Sequence, residues 1–503
     1  MDITSLQILA GNNDWSAIFP ELMLGCVALL LLGLEIILPK HLHTRLPAVA
    51  LFGVLVLLIH QLVGFFDVFT DQESFNGLLY HSREGQVMRV FFLLSALLVG
   101  VLGTVSLAKQ RMPHTEFYHI LLVVTAAMML LVQSNHFVML FITLETVTIG
   151  LYILVSYFRT SPLSLEAGLK YLIMGALSSS ILLFGIVLLY GVSGKVMLSD
   201  GMHTGFEYEA LRAFLTATPH NFLASVGIVL VLSGVAFKIA AFPFQIWVPD
   251  VYQGAPTPVT AFLAVASKGA GFIVLLNLAK VFSPYAWLTA PVLTVMAGAT
   301  LLFGSLAALT QHNVKRLMGL SGVSHAGFLL MAVVAGGTQS MAIGAIYFYL
   351  FAYLLASFAV FGVMAQVAGS DDADQELGHY AGLAKDSPFL ALELAIGLGS
   401  LAGIPPLAGF MGKLFIFIAA FKAGLYGLLA IAVIGVVVSI YYYFSWIRAA
   451  FFASWTPSDG SPAAPSTRAP VGTLAGVVLG LLAFATVVLG FYQGVLGHWL
   501  SSR

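Results

Sequence analysis

Fourteen stretches of this chain stay apolar for about 20 residues, long enough for a helix to cross the hydrocarbon core of a bilayer. They run at roughly 18–38, 46–66, 88–108, 117–133, 136–158, 166–190, 222–242, 255–280, 287–310, 317–336, 341–367, 388–421, 425–451 and 471–496. Lipid offers backbone amides no partner, so such segments must close their own hydrogen bonds as helices. The reading is an all-α polytopic membrane protein with about 14 transmembrane helices. Only Gln133-Ser134-Asn135 divides 117–158, but polar residues at both flanks favour two helices over one. Composition agrees: charged residues make up 9%, against about 25% in a soluble domain. The formal net charge of −1 weighs against nucleic acid as a partner. The single cysteine, Cys26, excludes a disulfide or a cysteine-ligated cluster within the chain. The first apolar run has no basic leading region and reads as a retained helix, not a cleaved signal.

Against that background, Glu145, Lys170, Lys238, Lys268 and Lys413 lie inside apolar runs. Ionised groups in a bilayer are costly and tend to mark an ion or proton path. Glu145 is about 12 Å deep at 1.5 Å per residue, too deep for a short side chain to reach water. Lys170 lies one turn into its run, where snorkelling to the surface explains it as well as function does.

Two apolar runs are interrupted. In GVAFKIAAFPFQIWVPD, Lys238 precedes Pro243; in LAGIPPLAGFMGK, Pro405-Pro406 precede Lys413. Proline removes a helix hydrogen bond. In lipid the freed groups have to face protein or a water-filled cavity. A plain kink is the bland reading, but broken helices beside intramembrane lysines are a feature of ion transporters. The spacing of these breaks suggests a repeat over residues 117–281 and 282–451, each a five-helix unit with one broken helix. Five is odd, so the two copies enter the membrane from opposite faces: an inverted repeat. Residues 1–116 supply three helices before it, and 452–503 a linker and the last helix.

An even number of spans puts both termini on one side. With the termini outside, the inner loops hold Lys40, Arg45, Lys109, Arg111, Arg159, Lys315, Arg316, Lys385, Arg448 and Arg468. The outer segments hold seven cations, and the four buried lysines complete the 21. The positive-inside rule selects this orientation.

The stretches FKIAAFPFQIWVPDVYQGAPTPVTAFLAVASKGA (237–270), NVKRLMGLSGVSHAGFLL (313–330) and SLAGIPPLAGFMGKLFIF (400–417) resemble the antiporter-like subunits of the proton-pumping NADH:quinone oxidoreductase, respiratory complex I. The resemblance covers about residues 18–496. The DVYQGAPTPV motif and LETVTIGLYILVSY around Glu145 look most like the N-type branch. The chain ends soon after its last span, unlike the largest, L-type branch, and has Lys413 where the M-type carries glutamate. Multi-subunit cation/proton antiporters and membrane-bound hydrogenases share the fold and much of the pattern, and are the alternative.

The resemblance implies roles. Glu145 matches the family's glutamate and Lys238 its lysine partner, so that breaking the pair frees Lys238 to lose its proton. Lys268 matches the central relay lysine and Lys413 the terminal donor, while Lys170 has a counterpart of less clear role. The resemblance also implies K-type and M-type neighbours in the membrane arm and the cell inner membrane as location, on which the outer side of the termini is the periplasm. The chain has no CxxC and no GxGxxG in a strand–helix context. NADH, FMN, iron–sulfur clusters and quinone are accordingly expected on other subunits, with no cofactor or metal bound here.

The remaining polar residues read more plainly. His325, inside GVSHAGF, is the best relay candidate among thirteen histidines, since histidine titrates near neutral pH; a satisfied core histidine is an equal reading. Glu35 and Glu393 read as solvated helix ends. Asp250 either shapes an inner mouth or caps a turn. Tyr441, Tyr442 and Tyr443 read as packing rather than a wet patch. DDADQEL (371–377) reads as a solvated acidic loop, and 458–470 as a flexible linker.

Overall fold

The computed structural model describes residues 13–64, 71–110, 112, 115–198, 201–369, 371–452 and 471–494. The 458–470 linker and both chain termini lie outside them. Each of the fourteen apolar stretches carries helix. Among the described residues, twelve helices are long and apolar enough by themselves to cross a membrane. The other two stretches are the interrupted ones. Phe222–Lys238 ends at Lys238 and, after a run of turns, a short helix Val248–Gly254 follows. Pro388–Ala402 is separated from Ala408–Lys422 by Gly403 to Leu407. The 117–158 region is two helices, Thr115–Val132 and Phe137–Val155.

Local chemistry sets the ends. His136 accepts a bond from the Val138 amide, Asn221 from Ala224, Asn313 from Lys315 and Arg316, and Ser387 from Leu390. These caps satisfy amides that a helix start leaves free. Gly403 sits at φ +86°, the left-handed conformation that closes a helix and that glycine adopts without strain.

Three helices form the centre: Thr257–Val281, Val314–Gly336 and Met341–Val367, each with 94% of its most apolar window buried. The outer helices turn large apolar side chains outward, among them Ile36, Ile37, Phe52, Phe184, Val295 and Phe484. Water would not tolerate a belt of that kind; lipid does.

The two faces differ. One carries two small antiparallel hairpins, Gln72–Ser74 with Leu79–His81 and Lys195–Leu198 with Gly201–Thr204, which the sequence reading did not anticipate. Leu79 bridges to Ser134 and His136 to Glu207, tying the connectors of this hairpin face together. Behind them Arg89 and Glu21 form a buried ion pair at 2.7 Å, with Gln133 Nε2 donating to Glu21 Oε1 at 3.0 Å. The opposite face, the loop face, is closed by residues 371–387. There the solvated-loop reading of 371–377 is overturned. Asp372 is 4% exposed and pairs with the fully buried Lys315 at 2.9 Å. It also accepts from the Thr257 amide at 2.8 Å and from the Thr257 hydroxyl. A buried carboxylate persists only when its lone pairs are satisfied, and Asp372 meets that condition by clamping the starts of two central helices. On the same face Lys109 donates to the Ala365, Gln366 and Ala368 carbonyls. A cation thus caps the end of Met341–Val367.

Candidate functional site: a buried line of titratable groups

Glu145 and Thr148 lie one turn apart on Phe137–Val155. Glu145 is half-buried, and its Oε1 accepts from the Ser179 hydroxyl at 2.5 Å. Lys238, last residue of its helix, donates from Nζ to Thr148 Oγ1 at 2.7 Å and stands 5.8 Å from the centre of the Phe237 ring. The two opposite charges therefore share one locus but make no direct ion pair; separate hydroxyls hold each of them. Opposite charges a few ångströms further apart still interact strongly where water is scarce.

A cavity of about 20 Å³ separates Lys238 from the next helix, lined by Thr148, Tyr171, Lys238, Ser267, Gly271 and Val274. That is room for about one water molecule. Lys268 directly follows Ser267. It is 3% exposed and begins the α-helical stretch after a π-helical turn, Leu263–Ser267, a local widening common at functional sites. Its Nζ donates to the Gly322 carbonyl at 2.5 Å and lies 5.8 Å from the Tyr353 ring centre.

One turn beyond Gly322 is His325, buried, with Nδ1 2.5 Å from the Tyr349 hydroxyl and Nε2 3.1 Å from that of Tyr443. A second cavity, about 10 Å³, lies between His325 and Lys413, with Tyr349, Tyr353, Ser400 and Leu401 in its wall. Lys413 is 4% exposed. Its Nζ donates to the Leu401 and Ala402 carbonyls at 2.8 and 3.0 Å and stands 5.2 Å from the Phe328 ring centre. The break at Gly403–Leu407 thus creates a helix end inside the protein, and Lys413 caps it, cation on negative dipole.

Five of the six candidate residues form one succession: Glu145, Lys238, Lys268, His325, Lys413. Lys170 stands apart. It is 41% exposed at the side chain and pairs with Glu166 at 2.6 Å and Asp250 at 2.7 Å. Asp250 also pairs with Arg316 at 2.8 Å, so it does more than cap a turn.

The sequence reading missed the hydroxyls between the charges: Thr148, Ser179, Tyr349 and Tyr443. Thr148 could have been found, since i and i+3 positions share a helix face. Tyr443 was read as packing; it is buried and also bonds His325. Glu393 was read as a solvated helix end; it is 3% exposed.

A helical membrane fold with a central line of acid, lysine and histidine groups at broken helices defines an antiporter-like ion-translocating subunit. The family model for the transmembrane region of NADH:quinone oxidoreductase/Mrp antiporters matches residues 134–439. NADH-quinone oxidoreductase subunit N 1 of Opitutus terrae is 63% identical over 505 residues, covering 100% of both chains. A chain of respiratory complex I from Thermus thermophilus, solved with bound aureothin, superposes with a TM-score of 0.77 at 30% identity, covering 95% of this chain and 98% of that one. A chain of the Mrp complex from a Dietzia species shares the fold, with a TM-score of 0.81 at 21% identity over 97% and 96% of the two chains. The chain belongs to the NADH-quinone oxidoreductase subunit N family.

Proposed function

We propose that this chain is a proton-translocating subunit of the membrane arm of an NADH:quinone oxidoreductase, coupling electron transfer from NADH to quinone to proton movement across the membrane. The observation that carries the reading is the succession from Glu145 to Lys413. The steps follow one another through hydrogen bonds, shared helix turns and small cavities, the one beside Lys238 reaching Ser267, the chain neighbour of Lys268, inside a shell that turns apolar side chains to lipid.

Glu145 modulates Lys238: approach and withdrawal of its charge controls the proton held there. Lys268 and His325 relay, and Lys413 hands the proton to the exit. Residues 117–281 and 282–451 act as two inverted repeats, each with one broken helix, and 1–116 and 452–503 flank them. The excess of cations on the loop face supports that face as inside and the hairpin face, with both termini, as outside, in the cell inner membrane. Lys170, with Asp250 and Arg316, edges the inner mouth. FMN, the iron–sulfur clusters, NADH and quinone reside on other subunits, with K-type and M-type subunits as neighbours.

The test is the assembled complex in proteoliposomes, with NADH-driven quinone reduction and proton uptake measured together. Tight coupling, reduced by Lys268→Ala at unchanged subunit content, supports the reading. Sodium/proton exchange without any dependence on NADH would overturn it in favour of a free-standing antiporter.

A further inference from the structure

Glu393 takes part in none of these steps, yet it is the kind of group a membrane helix does not keep without use. It is the sixth residue of Pro388–Ala402 and only 3% exposed. Its Oε2 has no hydrogen-bond partner, and no lysine or arginine among the described residues pairs with it. Ser387 already caps this helix, and position six lies beyond the first turn, where a carboxylate complements the dipole. Neither capping nor ion pairing accounts for the residue.

Its position does. Gly397, Ser400 and Leu401 follow at four, seven and eight residues and share its face. Ser400 and Leu401 line the cavity between His325 and Lys413, and the Leu401 carbonyl holds Lys413. On the adjoining helix, Tyr426–Phe451, the Trp446 indole N–H is also buried without a partner. One turn further in are Tyr442 and Tyr443, ring centres 4.6 Å apart, with Tyr443 bonded to His325. Counting from the loop-face ends of these helices at 1.5 Å per residue, Glu393 and Trp446 are about 7.5 Å deep, Tyr443 about 12 Å, His325 about 16.5 Å and Leu401 about 19.5 Å. Polar groups thus recur at every few ångströms from the loop face to Lys413.

We propose that Glu393 is a second proton-loading group, taking protons from the loop face and delivering them to His325 and Lys413 independently of the Glu145–Lys268 branch. The proposal rests on the function given above. The carboxylate accepts a proton from water at the loop face and becomes a carboxylic acid. It then releases that proton towards the Tyr442 and Tyr443 hydroxyls. Each hydroxyl passes one proton on as it receives one, and the His325 imidazole accepts the last as Lys413 loses its own to the far side.

The experiment compares Glu393→Gln, Glu393→Asp and wild type in the assembled complex, at matched subunit content in proteoliposomes. Glutamine keeps the size and cannot carry the proton; aspartate can. Glu393→Gln is expected to lower coupled turnover about twofold, the share of one of two parallel branches and far less than the 10²–10⁴-fold of a sole acid–base group, because the first branch persists. Glu393→Asp should restore most of it. A protonated-carboxyl infrared band should be absent in Glu393→Gln and shifted in Glu393→Asp. Wild-type coupling in Glu393→Gln overturns the proposal, and so does equal loss in Glu393→Gln and Glu393→Asp, which would make Glu393 a packing residue. Failure of wild type itself to pump would instead overturn the function on which the proposal rests.

Discussion

The Lys268 ammonium lies 2.5 Å from the Gly322 carbonyl, 54 positions further along the chain. This bond joins the helix that follows the first broken region, Thr257–Val281, to the helix of His325, so a buried ammonium on one is held by the backbone of the other. An added Cβ at position 322 would stand 2.8 Å from Lys268 Nζ and 3.1 Å from the Tyr353 hydroxyl. Gly322→Ala should therefore displace the ammonium without removing any titratable group. The expected outcome is an assembled complex with turnover lowered, though no further than in Lys268→Ala. Unchanged turnover would show that the Gly322 bond is incidental.

Lys268→Ala should depress pumping more than Lys268→Arg or Lys268→His, since alanine offers neither charge nor a titratable group at that depth. The loss for alanine is expected at about twofold, since the Glu393 branch persists, against the 10²–10⁴-fold of a sole acid–base group. The measurement is proton uptake per NADH oxidised at matched subunit content. Equal behaviour of all three variants would reduce Lys268 to a packing residue.

Glu145→Ala should lower pumping and coupled NADH oxidation, because Lys238 loses its modulating charge. Since Glu145 and Lys238 are held by Ser179 and Thr148 separately, Thr148→Val should also impair coupling, by freeing the Lys238 ammonium from its acceptor. Wild-type pumping in both variants would remove this locus from the path.

Lys413→Ala removes the cation that caps the internal helix end at Leu401 and Ala402. Turnover and pumping should fall together while the complex still assembles. A structure of the whole membrane arm with ordered waters gives the direct check: a dry apolar wall between Lys268 and Lys413 in every state would contradict the path.

The Asp372–Lys315 clamp should matter for stability instead of transfer. Asp372→Asn leaves a buried ammonium without its counter-charge, a change that costs about 3–5 kcal/mol. The level of assembled subunit should drop. A paired replacement, Asp372→Leu with Lys315→Met, should recover part of it, because no uncompensated charge remains. Equal loss in the single and paired variants would show that geometry, not charge balance, holds the loop.

Much of this protein is legible along the chain. Helices in lipid must satisfy their own backbone, so apolar length together with the polar residues at their flanks marks Thr115–Val132 and Phe137–Val155 as separate helices, and Pro243 and Pro405 mark where two others break. Lys268 and Lys413 stand out because burial makes an isolated charge improbable unless it serves something. What could not be read is which surfaces meet. Glu393 and Asp372 sit near the ends of apolar runs, where water is the ordinary partner. At Asp372, only the fold of residues 371–387 back over the helix ends excludes it. Nor could the sequence say that Lys238 rests on Thr148 and not on Glu145. Hydrogen bonds are decided within a few tenths of an ångström, by the relative rotation of helices far apart in the chain. The sequence by itself determined a helical membrane protein with charges at its breaks. The tertiary structure alone decided that those charges, with the hydroxyls of Thr148, Tyr349 and Tyr443, stand in one succession, because packing between distant helices sets distances that periodicity within one helix cannot carry.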